Sequence, residues 1–227
     1  MSMSNGFLSQ EEIDSLLNGS DDSSSNTGSN DNSVNLLSDI EKDLLGEIGN
    51  ISMGSASTAL YQIINQKVNI TTPVVSITTL KEIKETFETP TVVLDVEYTS
   101  GIIGRNILII KTEDAAVIAN LMMGGDGIVE NHELSEIEIS AVQEAMNQMI
   151  GSAATSMATM FSREVNISPP ISKIWSNSED ALSSEIPEDQ AIVRVNFRMT
   201  IGNLVDSNIM QILPVETAKK IVSIMIG

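Results

Sequence analysis

The sequence predicts an α/β domain of two pseudo-symmetric halves, each with the order helix, strand, strand, strand, helix. The first observation is a repeat: Glu47 and Asn50 return as Glu144 and Asn147, and both 144 − 47 and 147 − 50 give 97. The second is that each copy lies in a long stretch with the period of a helix. The third is that three runs rich in β-branched residues follow in each half. A repeated fold explains repeated apolar residues, whereas a repeated carboxylate and carboxamide three residues apart indicate a functional site.

Both long helices carry the same start signal. In each, a serine is followed three residues later by a glutamate, and the two side chains can cap each other's backbone N–H groups. The two pairs are Ser38 with Glu41 and Ser135 with Glu138. From these caps the helical pattern continues to about Asn65 and about Phe161.

Each long helix is predicted to bury one face and to present polar groups on the adjoining face. In the first helix we expect burial of the apolar stripe Leu37, Ile40, Leu44, Ile48 and Ile51. The polar stripes are Asp43, Glu47, Asn50 and Gly54, and Ser140, Glu144, Asn147 and Gly151. A glycine inside a helix costs about 1 kcal/mol relative to alanine. Gly54 and Gly151 therefore mark either a close contact between the two helices or a docking surface for a partner.

Strands and a closing helix complete each half. The predicted strands are 74–79, 91–98 and 102–110, and then 171–176, 190–198 and 204–213. The closing helices repeat at an offset of 103, since Glu113 returns as Glu216. The larger offset places an insertion in the acidic loop 177–190. We therefore predict one domain over residues 34–227, with halves of about 34–125 and 131–227.

The first 33 residues are organised differently from the rest of the chain. Residues 18–33 contain no large apolar side chain and are predicted to form a disordered linker. Residues 1–17 contain a short amphipathic helix pattern: Ser9 with Glu12 as a capping box, then Ile13, Leu16 and Leu17 on one face. A helix this short is marginal alone. We expect its apolar face to bind in a groove of a partner.

The composition excludes several kinds of site. The chain has no cysteine and one histidine, which leaves no disulfide, thiolate nucleophile, cysteine metal site or histidine-based triad. The net charge of −19 disfavours nucleic acid and anionic membrane surfaces as ligands and favours a partner with basic groups. No apolar run reaches the about 18 residues of a membrane-spanning helix. We therefore expect no nucleic-acid binding and no direct insertion into a membrane.

The repeated motif resembles a known family. Each copy has Asp or Ser, a glutamate four residues on, an asparagine three further, and a proline after 22 more residues, from Asp43 to Pro73 and from Ser140 to Pro170. This pattern resembles the CheC/CheX/FliY phosphatases of bacterial chemotaxis. The segment Leu8–Leu17 resembles the N-terminal peptide by which flagellar switch proteins capture phosphorylated CheY. The combination points to the FliY branch, whose members normally carry a C-terminal FliN-like domain. The sequence stops at Gly227 without one, so we expect either that it is a piece of a longer protein or that this homologue is short.

The resemblance implies a CheC-like fold and a phosphatase that acts on the aspartyl phosphate of CheY at the flagellar motor switch. It implies catalytic roles for Glu47, Asn50, Glu144 and Asn147, and partner-binding roles for Leu8, Ile13, Asp14, Leu16 and Leu17. The asparagines would position a water in line with the phosphorus, because a neutral carboxamide does not repel the phosphoryl group. The glutamates would pair with the partner's lysine and fix the docking. The chain is expected to bind no cofactor, and magnesium should belong to CheY.

Two other functions are compatible with the residues. The first is a non-catalytic flagellar switch scaffold, like the FliM middle domain, that only binds phosphorylated CheY. The second is a hydrolase that uses Glu47 and Glu144 as an acid/base pair on a small substrate, without any partner. In the favoured interpretation the chain works in the cytoplasm, at the basal-body switch on the inner face of the cell membrane. Its other partners there would be switch proteins such as FliM and FliG.

Overall fold

The structure is a computed structural model that describes residues 36–227 with the exception of Thr89. The predicted peptide 1–17 and linker 18–33 lie outside the described residues. The helices are α1 (Asp39–Ile64), α2 (Leu80–Glu85), α3 (Thr112–Met122), α4 (Glu136–Phe161) and α5 (Val215–Ile226). The strands are β1 (Val68–Thr78), β2 (Thr91–Ser100), β3 (Gly104–Lys111), β4 (Asn166–Ile167), β5 (Ile171–Trp175), β6 (Ile192–Ile201) and β7 (Val205–Pro214).

Both long helices begin at their predicted caps. The Ser38 Oγ accepts a hydrogen bond from the Glu41 N–H at 3.2 Å, and the Glu41 carboxylate accepts one from the Ser38 N–H at 2.7 Å. The same reciprocal pair joins Ser135 and Glu138 at the start of α4. The matching start signals therefore open two helices of equal length, 26 residues each, as the fold prediction required.

The seven strands form one antiparallel sheet, in which the first strand of each half pairs with a strand of the other half. The order is β1-β6-β7-β3-β2, and β4 and β5 follow one another along the outer edge of β2. The hairpins β2–β3 and β6–β7 meet at the centre through β3 and β7. Because β1 pairs with β6, and β4 and β5 pair with β2, neither half completes its share of the sheet alone.

Apolar side chains cover both faces of the sheet. The larger cluster lies between the sheet and the helices α1, α3, α4 and α5, and it includes the buried side chains of Met149 and Phe197. A smaller cluster lies on the opposite face, under α2 and the acidic loop 177–190, which buries Leu182 and Ile186. The predicted insertion therefore covers a sheet face that would otherwise be exposed.

The predicted apolar stripe of α1 is only partly buried. Leu37 and Ile48 are buried, and Leu44 is half-buried, but Ile40 is 71% exposed and Ile51 is 40% exposed. The prediction was wrong for these two isoleucines because the buried face of α1 includes small and weakly polar residues. A prediction from large apolar residues alone leaves these positions out and places the buried face at the wrong angle. That face includes Gly49, Ser52, Ala56 and Ser57.

The two long helices cross at equivalent positions. The Ser152 Oγ donates a hydrogen bond to the Ser55 carbonyl oxygen at 3.0 Å, and 152 − 55 is again 97. A local pseudo-two-fold axis therefore passes close to this contact. The neighbouring Gly54 and Gly151 do not make the contact, because a Cβ atom at either position would meet no atom within 4 Å. Close approach of the helices thus does not explain these two glycines.

Candidate functional site

The first predicted pair lies in an open cleft between α1 and β1. Glu47 and Asn50 are both exposed on α1 and line a cleft of about 840 Å³. The opposite wall is the stretch of β1 around Pro73, the proline that follows Asn50 after 22 residues in the motif. The spacing of the motif therefore brings its glutamate, asparagine and proline to one place on the surface.

The second pair lies in an equivalent but narrower cleft. Glu144 and Asn147 of α4 line a space of about 220 Å³ together with Pro170. Glu144 is exposed and Asn147 is half-buried. The structure thus brings together the predicted residues of each copy, but it does not bring the two copies into one common cleft.

The strand wall of the first cleft is shaped by a β-bulge. The pairing of β1 with β6 shifts between Thr71 and Val74, so that Thr72 and Pro73 stand opposite the single residue Phe197. Thr72 has a φ of 51°, a left-handed conformation that a β-branched residue rarely adopts. Such a conformation costs about 1–3 kcal/mol and persists only where the surroundings enforce it. In the second copy Pro169 takes the place of Thr72, and the strand is interrupted between β4 and β5.

One position of the repeat contributes to the smaller volume of the second cleft. Gly46 lines the first cleft, and a Cβ at Gly46 would lie 3.8 Å from Val75, an ordinary contact distance. The equivalent residue in the second copy is Gln143, since 143 − 46 is 97. Its Oε1 accepts a hydrogen bond from the Ser172 Oγ of β5 at 2.7 Å. The Gln143 side chain therefore bridges the helix and the strand and occupies space that Gly46 leaves open.

The two glutamates also differ in their surroundings. The Gln148 Nε2 donates a hydrogen bond to the Glu144 Oε1 at 2.9 Å, one helical turn away on α4. In the first copy Ile51 stands at the position of Gln148, since 148 − 51 is 97, and it offers no hydrogen bond. The Glu144 carboxylate is therefore held by its own helix, whereas the Glu47 carboxylate has no such neighbour at this position.

The first cleft is acidic but contains one cation. Its lining includes the carboxylates of Asp39, Asp43 and Glu47 and the half-buried residue Lys42, so that three negative charges and one positive charge leave a formal charge of −2. Within residues 36–227, Lys42 belongs to none of the four ion pairs, which lie elsewhere. The second cleft has Glu144 as its only charged lining residue, a formal charge of −1. Both clefts are therefore suited to a partner that presents positive charge.

The clefts present carboxylates, carboxamides, hydroxyl groups and, in the first cleft, an ammonium group. In the described part of the chain, no three side chains of His, Cys, Asp or Glu group together as metal ligands. Of the helices between residues 36 and 227, none combines the length and apolar surface that crossing a bilayer requires. These groups can orient a water and pair with a cation, and neither cleft lining includes a histidine or a cysteine.

Sequence reasoning missed Lys42 and Gln143 as cleft residues, and Gln148 as the hydrogen-bond partner of Glu144. The signal was present, because each of them interrupts the repeat: their equivalents are Ile139, Gly46 and Ile51. The predicted partner-binding residues Leu8, Ile13, Asp14, Leu16 and Leu17 lie outside the described residues, and their role stays a prediction.

Two stretches of the chain match the CheC-like family, residues 40–77 and 137–174. The offset between them is the offset of the repeat, because 137 − 40 and 174 − 77 both give 97. Each stretch contains one Glu/Asn pair and the proline that faces it across the cleft.

Known proteins resemble the chain over most of its length. It is 48% identical over 226 residues to the flagellar motor switch phosphatase FliY of Bacillus subtilis (strain 168), an alignment that covers 97% of this chain and 58% of that protein. The chain therefore spans 58% of the length of this curated relative. It is 41% identical to FliY of Thermotoga maritima, whose crystal structure matches with a TM-score of 0.79 over 84% of this chain and 98% of that one.

A more distant structure shares the fold alone. The FliM middle domain from H. pylori is 17% identical, with a TM-score of 0.67 over 83% of this chain and 100% of that one. The Thermotoga FliY structure is matched along nearly its whole length at much higher identity. With both motif copies matched as well, the chain belongs to the CheC-like family, in the group that contains FliY.

Proposed function

We propose that this chain hydrolyses the aspartyl phosphate of the response regulator CheY at the flagellar motor switch. The observation that carries the proposal is that a glutamate and an asparagine line an open cleft in each half, beside a proline at the same spacing. The name of the Bacillus relative, flagellar motor switch phosphatase, supports the same reaction class. The clefts contain no histidine or cysteine and offer groups that can orient a water, which suits a reaction in which water attacks a phosphoryl group held by a partner.

Asn50 and Asn147 are proposed to position the attacking water. The carboxamide oxygen accepts a hydrogen bond from the water and turns a lone pair of the water oxygen towards the phosphorus. The new bond forms between that oxygen and phosphorus while the bond from phosphorus to the aspartyl oxygen breaks, which releases inorganic phosphate and a free carboxylate. Such catalysis rests on positioning, because an aspartyl phosphate is already reactive.

Glu47 and Glu144 are proposed to dock the partner. A carboxylate close to a phosphoryl group is repelled unless it faces a cation, so these side chains should pair with the lysine beside the regulator's phosphorylation site. The acidic lining of the first cleft favours the same arrangement. Magnesium would be held by the regulator, where it neutralises the phosphoryl oxygens, and this chain would contribute no ligand to it.

The proposed setting is the cytoplasmic switch of the flagellar basal body, next to FliM and FliG. Residues 1–17 would capture phosphorylated CheY, and the linker 18–33 would let the captured regulator reach either cleft. A flexible chain of about 16 residues has an rms reach of about 20–25 Å. The second candidate function is a switch scaffold that binds phosphorylated CheY without hydrolysing it, and the fold shared with the FliM middle domain is what favours it.

The test is to measure phosphate release from phosphorylated CheY with the natural chain, Asn50→Ala, Asn147→Ala and the double variant. Either single variant should keep activity, because the other cleft still works. The double variant should lose about 100-fold, which corresponds to about 2.7 kcal/mol of barrier. Asn203→Ala, an exposed asparagine in the turn between β6 and β7, is the matched control and should stay fully active.

Two outcomes would decide against the proposal. If the double variant is fully active, or if the natural chain does not accelerate phosphate release, the scaffold function is favoured instead. Hydrolysis of a generic aryl phosphate as fast as that of the phosphorylated regulator would instead favour the self-sufficient acid/base pair of Glu47 and Glu144.

A further inference from the structure

Four exposed aliphatic side chains flank the two clefts at equivalent positions. Ile40 and Ile137 are each 71% exposed, in the first turns of α1 and α4. Val74 and Ile171 are 64% and 71% exposed, and each directly follows the proline of its cleft. The offsets agree with the repeat, because 137 − 40 and 171 − 74 both give 97. We call these four side chains the aliphatic rim.

Packing within the chain does not account for the aliphatic rim. Single exposed apolar residues are common on protein surfaces and need no explanation. Here, however, the same two positions are exposed and branched aliphatic in both halves, although neighbouring positions have diverged, such as Lys42 and Ile139. Since each rim side chain is mostly in water, its apolar character contributes little to the stability of the domain.

The rim lies beside the residues proposed to act on the partner. Ile40 precedes Glu47 by seven residues, two turns along the same side of α1, which is about 10 Å at 1.5 Å per residue. Val74 lines the same cleft as Asn50. A partner protein that reaches Asn50 therefore comes close to the aliphatic side chains of Ile40 on the helix and Val74 on the strand.

The charges around the rim select the kind of partner. The first cleft has a formal charge of −2 from Asp39, Asp43, Glu47 and Lys42, so its partner should present positive charge next to apolar surface. The chain's own N-terminal segment does not meet this requirement, because residues 1–17 carry three carboxylates and no lysine or arginine. Repulsion between like charges disfavours that segment as the occupant.

We propose that the aliphatic rim is the apolar part of the surface on which each cleft binds a phosphorylated receiver domain, an inference that rests on the proposed function. Ile40 and Val74 contact the receiver on two sides of the first cleft, and Ile137 and Ile171 do so at the second. Their burial excludes bulk water from the Glu/Asn pair, which strengthens the pairing of the glutamate with the receiver's cation. The rim therefore acts on binding, while the asparagine acts on turnover.

The test uses the full chain with Asn147→Ala, so that only the first cleft releases phosphate. Ile40→Ser with Val74→Ser should raise the KM for phosphorylated CheY at least about ten-fold and leave kcat within about two-fold, because only uniform binding is removed. The conservative pair Ile40→Val with Val74→Ile should retain the natural KM. Ile128→Ser is the matched control, since Ile128 is also 71% exposed but lies in the loop between α3 and α4.

Binding measured without turnover separates this inference from the proposed function. CheY loaded with magnesium and beryllofluoride, a stable mimic of the phosphorylated state, is titrated calorimetrically into chains that also carry Ile13→Ala and Leu17→Ala, so that the peptide does not mask the clefts. Weaker binding by the serine variants supports the rim even if no phosphate is released by any chain. Unchanged affinity and unchanged KM overturn it. A natural chain that sediments as a dimer, and as a monomer after the serine substitutions, would make a second copy the occupant and also overturn it.

Discussion

Gly54 offers a sharp test of how α1 is built. It lies inside the helix, where glycine costs about 1 kcal/mol relative to alanine, and a Cβ at this position would meet no atom within 4 Å. Gly54→Ala should therefore raise the free energy of unfolding by about 1 kcal/mol. Gly49→Ala is the matched control on the same helix, because its Cβ would stand 3.0 Å from the Phe197 ring and force the buried ring to move.

The measurement is urea and thermal unfolding of the natural chain and the two alanine variants. For a domain of this size, about 1 kcal/mol shifts the midpoint temperature upward by about 2–4 °C. Gly49→Ala should gain nothing or lose stability, because the crowding at Phe197 offsets the better helix propensity. A Gly54→Ala variant that is no more stable than the natural chain would refute the reasoning, since it would mean that another group occupies the space above Gly54.

The same position tests why the chain keeps a glycine there. Gly54 follows Asn50 by one helical turn on the same side of α1, and Gly151 follows Asn147 in the same way. If a partner covers this surface, Gly54→Leu should fold normally and yet slow phosphate release with the second site inactivated. An unchanged rate would show that the partner does not approach the helix at this point.

Three other perturbations test the N-terminal peptide, a buried carboxylate and the width of the second cleft. Removing residues 1–33, or combining Ile13→Ala with Leu17→Ala, should slow phosphate release at low but not at saturating regulator, because a tether raises the effective concentration; equal rates at low concentration would contradict it. Burial raises the pKa of the Asp114 carboxyl, so the folded state holds the proton more tightly and stability falls as the pH rises from about 4 through the raised value. Asp114→Asn should remove this fall in thermal unfolding measured from about pH 4 to about pH 8, whereas parallel pH curves would count against it. Gln143→Gly should widen the second cleft and raise its phosphate release when the first site is inactivated, and an unchanged rate would show that width does not limit that site.

The regular elements of the fold could be predicted because their signals are local. A capping box fixes the start of each long helix, and β-branched runs between turn residues mark the strands. The start of β1 was predicted at residue 74 but lies at Val68, because the sheet accommodates Pro73 in a bulge. The six-residue α2 was not predicted, since so short a segment is fixed by its position under the second sheet face rather than by its own pattern.

The site could be predicted only where the two copies agree. Glu47 and Asn50 were identified because they recur, and both line the first cleft. Lys42 and Gln143 were missed because each differs from the residue at the equivalent position of the other copy. The prediction of the site rested only on residues that are the same in both copies. The exposure of Ile40 was also missed, because an apolar residue at helical spacing is predicted to be buried. Only the orientation of the helix on the sheet shows which apolar positions face the solvent.

Phe197 of the second half lies next to both walls of the first cleft. Its backbone stands opposite the bulge at Thr72 and Pro73, and its buried ring lies against Gly49, one residue before Asn50. One residue of the second half therefore meets both walls of a cleft whose Glu/Asn pair belongs to the first half. Because β1 is paired with β6 on both sides of the bulge, the left-handed Thr72 is enforced by the partner strand rather than by its own sequence. The exchange of first strands thus makes the geometry of each cleft depend on the opposite half, so a half expressed alone would lack the strand that holds its site open.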